Sequence, residues 1–165
     1  MLNLSTVKTP NIYAIIGRSE MKKLIKEASK TLFTEQNELN NVVWISFTDP
    51  NKSFLYNSIL FKDSIKIRCW DVEEEFLSYK PISEEDILKL YNFIISYKDK
   101  KFIINCEAGQ SRSSAVGLFI EYINRDMFMY KKWSHFPSKI LAHERYSPNM
   151  YILNKLKEIY EKEEK

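Results

Sequence analysis

The chain is poor in the residues that build several common kinds of protein: its 165 residues include only two cysteines, two histidines and three glycines. Cys69 and Cys106 are too few for a disulfide framework, and no apolar leader opens the chain, so free thiols in a reducing, cytoplasmic setting are expected. No stretch approaches the roughly twenty apolar residues that a membrane span needs, so no membrane partner is expected. His135 and His143 have no further histidine or carboxylate at metal-ligand spacing, and the adjacent His143 and Glu144 cannot readily face one ion, so neither metal nor cofactor is predicted. A formal charge of +3, with lysines and glutamates interspersed, gives no grounds for nucleic-acid binding. The scarcity of glycine beside abundant Lys, Ile, Asn and Tyr reads as a coding bias towards A and T and carries no chemistry.

What is present suffices for one good core. With 44% hydrophobic and 14% aromatic residues, a single domain over residues 1–165 is the default, with a frayed Glu-Lys tail after about residue 160. Residues 12–16 and 42–47 read as buried strands, the second stopped by Thr48, Asp49 and Pro50, and Asp49 reads as a turn residue. Ser19 is the expected N-cap of a helix reaching about Leu32, with Met21, Leu24, Ile25, Ala28 and Leu32 on one face. Residues 51–63 favour a short helix or loop. Residues 64–70 alternate as a strand that delivers Asp71 at its carboxyl end. Ser83 followed by Glu84, Glu85 and Asp86 marks a helix start running to about Lys98. Residues 101–105 form the central strand, residues 113–124 a helix, and Ser147 with Pro148 at the first helical position opens the last helix. Strands alternating with helices predict an α/β sandwich with a mostly parallel sheet, whose ligands sit beyond the carboxyl ends of the strands.

The chemistry concentrates at one strand end. The run Asn105, Cys106, Glu107, Ala108, Gly109, Gln110, Ser111, Arg112, Ser113 joins an apolar strand to a helix. A thiolate at Cys106 can attack phosphorus, the backbone N–H groups of residues 107 to 112 can turn inward onto phosphate oxygens, and Arg112 can hold two of those oxygens in a fork. The helix that follows aims its positive end at the same anion. Gly109 lets the loop turn without a Cβ in the way. A free thiol is mostly protonated at pH 7, so the loop amides, Arg112 and the helix end must all favour the anion, and Ser113 offers a hydroxyl to the sulfur.

These residues resemble the signature loop of the protein tyrosine phosphatase superfamily, in particular its small dual-specificity branch. Trp70-Asp71 resembles the acid loop of that family, and Arg145, Pro148 and Asn149 before the last helix resemble a third segment of it. The likeness covers roughly residues 40 to 160. It implies a three-layer sandwich with a central sheet of four to five strands, Cys106, Arg112 and Asp71 as catalytic residues, and Glu107, Ala108, Gly109, Gln110, Ser111 and Arg112 as the phosphate cradle. Asn105, Ser113 and Asn149 are the supporting residues, Asn149 through loop backbone or the hydrolytic water. The chain departs from the family in having Asn105 where a histidine usually precedes the cysteine, and Val72 where the acid loop usually carries proline. It also lacks the usual glycine and phenylalanine after Asn149.

The implied activity is hydrolysis of phosphomonoesters through a thiophosphate intermediate. The expected substrate is a phosphorylated protein or peptide, with a small phosphorylated metabolite or nucleotide as second choice; the loop has no lysine and Glu107 is acidic, which argues against highly charged inositol polyphosphates and 5′-triphosphate RNA ends. A phosphate-binding module of the same fold with weak catalysis is the alternative, and a rhodanese-type sulfurtransferase is a third reading that the spacing to Arg112 disfavours. Cys69 reads as a buried strand residue with the option of a reversible disulfide to Cys106. His143 and Arg145 are expected near the substrate entrance, and Met127, Phe128, Met129, Tyr130 and Trp133 as core or docking surface.

Overall fold

A computed structural model describes residues 6–31, 37–56, 58–124 and 138–164. Four strands, β1 (Ile12–Gly17), β2 (Val42–Thr48), β3 (Asp63–Arg68) and β4 (Lys101–Cys106), form one sheet in the order β1-β4-β2-β3, with every pairing parallel. Four helices accompany it among the described residues: α1 (Arg18–Ser29), α2 (Glu84–Ser96), α3 (Arg112–Asn124) and α4 (Met150–Glu163). The result is an α/β sandwich of three layers, as the alternation of elements requires.

All seven residues of β2 are buried, because a strand inside a parallel sheet is covered on both faces and reads as a continuous apolar run. The period-two alternation then separates two cores. Val43, Ile45, Phe102 and Ile104 pack with Ile87, Leu90 and Ile94 of α2, Leu118 and Phe119 of α3, and Leu153 and Leu156 of α4. Ala14, Ile16, Val42, Trp44 and Ile103 pack on the other face with Met21, Leu24 and Ile25 of α1. Cys106 belongs by parity to the α3 side and Asn105 to the α1 side. α3 is buried around its whole circumference from Arg112 to Glu121, and a Cβ on Gly117 would come within 2.5 Å of Ile15 Cδ1, so this glycine sets how closely the helix lies on β1.

Two helix starts differ from the sequence reading. α1 begins one residue after β1, so Gly17 rather than Ser19 is the N-cap; the Glu20 carboxylate reaches back to the Gly17 N–H at 2.8 Å and leaves Ser19 exposed. The last helix is capped by Asn149, whose Oδ1 accepts from the Ile152 N–H at 3.1 Å, so Pro148 precedes the cap instead of filling the first helical position. Ser83 caps α2 as expected, with its hydroxyl accepting from Asp86 N–H at 3.1 Å. Residues 51–56 and 58–62 are loop with one 3-10 turn at Ser58–Leu60, and the strand expected over 64–70 is β3, which starts at Asp63 and ends at Arg68. Leu32, His135 and the Met127–Trp133 cluster lie outside the described residues. Among those residues no helix is long and apolar enough to cross a membrane.

Candidate active site

The two innermost strands, β4 and β2, end side by side, and the chain leaves β4 at Cys106 to form a tight loop before α3. Gly109 takes φ +70° at the bend, and a Cβ there would meet the backbone of Gly17 and Ile16 at 2.3 and 2.4 Å. The loop thus turns against the start of α1 with no room for a side chain.

Its carbonyls are tied outward. Glu107 O accepts from Arg18 N–H (3.0 Å), Gln110 O from Ser147 N–H (2.9 Å), and Ser111 O from Asn149 N–H (3.1 Å). All peptide bonds here are trans, so the N–H groups of Ala108, Ser111 and Arg112 point the opposite way, into the loop. The Gly109 N–H is aimed at Cys106 Sγ at 3.2 Å, and Ser113 Oγ is hydrogen-bonded to the same sulfur at 3.1 Å.

Arg112 is 2% exposed. Its Nη2 donates to Asp49 Oδ1 at 2.7 Å and its Nη1 to the Cys69 carbonyl, while Nε is buried without an acceptor. Burial opposes the guanidinium charge, but Cys106 and Asp49 outweigh it and hold the group above its ordinary range. Asp49 is a turn residue, its carbonyl accepting from Lys52 N–H at 3.0 Å, and also a charge partner of the loop arginine. Sequence reasoning assigned only the turn. The missed signal was its position at the carboxyl end of β2, the same strand-end rule that singled out Cys106 and Asp71.

Asp71 lies just beyond β3, and the structure brings it to the loop. Its Oδ1 accepts from Ser111 Oγ at 2.8 Å and from Asn149 Nδ2 at 3.0 Å, while Oδ2 has no hydrogen bond among the described residues. Asn149 therefore touches the loop through its backbone and holds the carboxylate through its side chain. Trp70 stands edge-on against Tyr79 at 4.8 Å, and a cleft of about 410 Å³ opens between them and the loop. Asp49, Trp70, Asp71, Ala108 and Arg112 line it, whereas Cys106, 1% exposed, lies below the lining residues.

The supporting residues hold the loop from outside. Asn105 is fully buried and its Oδ1 accepts from the Trp44 indole N–H at 2.8 Å, a neutral brace across the α1 face of the sheet. Arg145 grips Glu20 with both terminal nitrogens and closes on Gly109. Burial alone would raise the Glu20 carboxyl; the hydrogen bonds from Arg145 and the Gly17 N–H hold it below the usual carboxylate range. His143 Nδ1 accepts from Arg145 N–H and its ring lies against Tyr146. Neither His143 nor Arg145 lines the cleft, because both are engaged elsewhere. Cys69 and Cys106 are free thiols, and burial pushes the Cys69 thiol up to about 11 despite the nearby Arg112 charge. Glu107 is held by Lys52 on its outer side. Among the described residues, no three His, Cys, Asp or Glu side chains group around a point that could hold a metal ion.

No family model matches the chain, and no curated protein matches it. Among solved structures it is similar to the crystal structure of PTPMT1 in complex with PI(5)P, at 15% identity over 74% of this chain and 78% of that one, with a TM-score of 0.44.

Proposed function

We propose that the chain is a single-domain, cysteine-dependent phosphatase that hydrolyses phosphomonoesters through a thiophosphate intermediate, of the protein-tyrosine or dual-specificity type. The observation that carries this reading is the pair of contacts on the Cys106 sulfur, from Gly109 N–H and Ser113 Oγ, above a buried Arg112 whose Nε lacks an acceptor. A buried arginine donor without a partner is costly, and a phosphate oxygen would satisfy it.

In the first step the Cys106 thiolate forms an S–P bond as the P–O bond to the leaving alcohol or phenol breaks, and the free Oδ2 of Asp71 delivers a proton to the departing oxygen. Ser111 and Asn149 hold that carboxyl in place through Oδ1. In the second step Asp71 takes a proton from water, the water oxygen bonds to phosphorus, and the S–P bond breaks. Ser113 and the Gly109 amide stabilise the returning thiolate. Arg112 and the inward amides hold the equatorial oxygens in both steps, so positioning and electrostatics supply most of the rate.

A phosphorylated protein or peptide is the first substrate class, and a small phosphorylated metabolite the second. The binding-module reading keeps one observation in its favour: both terminal nitrogens of Arg112 are engaged by Asp49 and Cys69. Hydrolysis of para-nitrophenyl phosphate in reducing, metal-free buffer decides between them. Turnover lost in Cys106→Ser and Arg112→Ala, and slowed in Asp71→Asn with its acid-limb pH dependence gone, supports catalysis. Vanadate binding by folded wild type without turnover would establish the module.

A further inference from the structure

A second cavity adjoins the phosphate loop. It has a volume of about 530 Å³ and is lined by Arg18, Ser19, Lys22, Lys52, Ser53 and Glu107. Glu107, the residue after the nucleophile, lines both this cavity and the cleft above Arg112. Two distant segments supply its cations: the first two turns of α1 and the turn after β2.

The walls are fixed to the loop. Arg18 N–H donates to the Glu107 carbonyl at 3.0 Å, and Arg18 Nη2 donates to the Ser53 carbonyl at 2.7 Å. Arg68 Nη2 donates to the Lys52 carbonyl at 3.3 Å, so two guanidiniums pin the turn that presents Lys52. Lys52 pairs with Glu107 and lies 3.9 Å from Asp49.

The charge in this cavity is unbalanced. Three cationic side chains face one carboxylate, whose Oε1 is taken by Lys52 while its Oε2 is buried without a donor, so Arg18 and Lys22 remain as uncompensated cations. Arg18 Nη1 is buried without an acceptor, and Lys22 makes no ion pair or hydrogen bond among the described residues. A concave site with spare guanidinium and ammonium donors beside a phosphate loop is complementary to a second phosphate.

Resting on the phosphatase reading, we propose that the cavity of Arg18, Lys22 and Lys52 is a subsite for a second phosphate group, making the preferred substrate a phosphomonoester that carries another phosphate. Lys52 and Glu107 form the ridge between the two positions, and the spare donors of Arg18 and Lys22 supply the charge that the second phosphate needs. This revises what the loop sequence alone implies about charge, since the cations come from outside the loop.

The test compares substrates in pairs on the full chain: one peptide phosphorylated at one residue or at two neighbouring residues, and glucose 6-phosphate or glucose 1,6-bisphosphate. The doubly phosphorylated member of one pair should show a kcat/KM about tenfold higher, the scale of one additional charge-assisted hydrogen bond. The pair that responds tells a peptide from a small-molecule source. Lys22→Glu, an exposed substitution that leaves the loop intact, should abolish the advantage, and Lys22→Arg should keep it. Equal kcat/KM within both pairs, or an advantage indifferent to Lys22→Glu, would overturn the subsite. Inorganic pyrophosphate titrated into Cys106→Ser, followed at the Ser19 and Lys22 amides by NMR, separates the two readings. Shifts there that vanish in Lys22→Glu, in a chain that never turns over para-nitrophenyl phosphate, would support the subsite while catalysis fails.

Discussion

Replacing Asp49 by alanine should destabilise the unliganded chain and at the same time tighten its hold on phosphate. Arg112 is 2% exposed and Asp49 Oδ1 accepts its Nη2 at 2.7 Å, so the substitution leaves a buried guanidinium with Nε and half of Nη2 unpartnered. Losing a hydrogen bond to a charged buried group costs about 1.5–3 kcal/mol. Asp49 keeps 18% of its side chain in solvent, so water can enter behind it and the lower part of that range, about 2 kcal/mol, is expected. For a chain of this length that corresponds to a fall in Tm of roughly 4–8 °C. Phosphate feels the opposite effect, because removing a like charge that shares the same arginine should tighten it about fivefold, or roughly 1 kcal/mol. Thermal denaturation with and without inorganic phosphate measures both quantities. Combining Asp49→Ala with Arg112→Met should cost little beyond Arg112→Met alone, since the two residues act as one pair. An unchanged Tm, or weaker phosphate binding in Asp49→Ala, would show that Asp49 neither stabilises Arg112 nor competes with phosphate for it.

The carboxylate clamp predicts that Ser111→Ala and Asn149→Ala each lower kcat on para-nitrophenyl phosphate by about five- to tenfold through loss of one charged hydrogen bond. In an Asp71→Asn background either change should add little. Cys69, pushed to about 11 in the fold from an ordinary value near 9, stays protonated in the native state while the unfolded chain releases its proton. The unfolded state then binds fewer protons, so stability is unaffected below pH 9 and falls between pH 9 and 11 by about 2–3 kcal/mol. Urea melts of wild type against Cys69→Ala across that window should show the difference closing as pH rises. Asn105→Ala strands the buried Trp44 indole N–H, which should cost about 1–3 kcal/mol, read from denaturant midpoints, and it should slow turnover by loosening the loop.

Local chemistry was legible where a few adjacent residues decide the outcome. The strand, Cys106, Gly109 and Arg112 sit within one short run, so the turn at positive φ, the contact of Ser113 with the sulfur and the start of α3 all follow from neighbours in sequence. Asp71 was reachable because it follows closely on the carboxyl end of a strand, β3 stopping at Arg68. The pairing of Asp49 with Arg112 and the brace from Trp44 to Asn105 depend on β2 lying beside β4, a sheet order that no local pattern encodes. Helix starts failed for a different reason. Ser19 has good capping chemistry, but β1 runs straight into α1 and Glu20 caps Gly17 instead. Pro148 suits a first helical position, yet Asn149 follows it with a side chain that can both cap α4 and hold Asp71. The Arg18, Lys22 and Lys52 cavity joins segments more than twenty residues apart and was invisible for the same reason as Asp49.

Turnover by the thiophosphate route requires that Cys106 become covalently phosphorylated. Its direct measurement is the intact mass of Asp71→Asn, quenched in acid during steady-state hydrolysis of para-nitrophenyl phosphate, followed by mapping of the modified peptide. A single phosphoryl group on Cys106, absent from Cys106→Ser and removed on standing with an external nucleophile, is expected. Turnover without any added phosphoryl group, or with the group on another side chain, would contradict it.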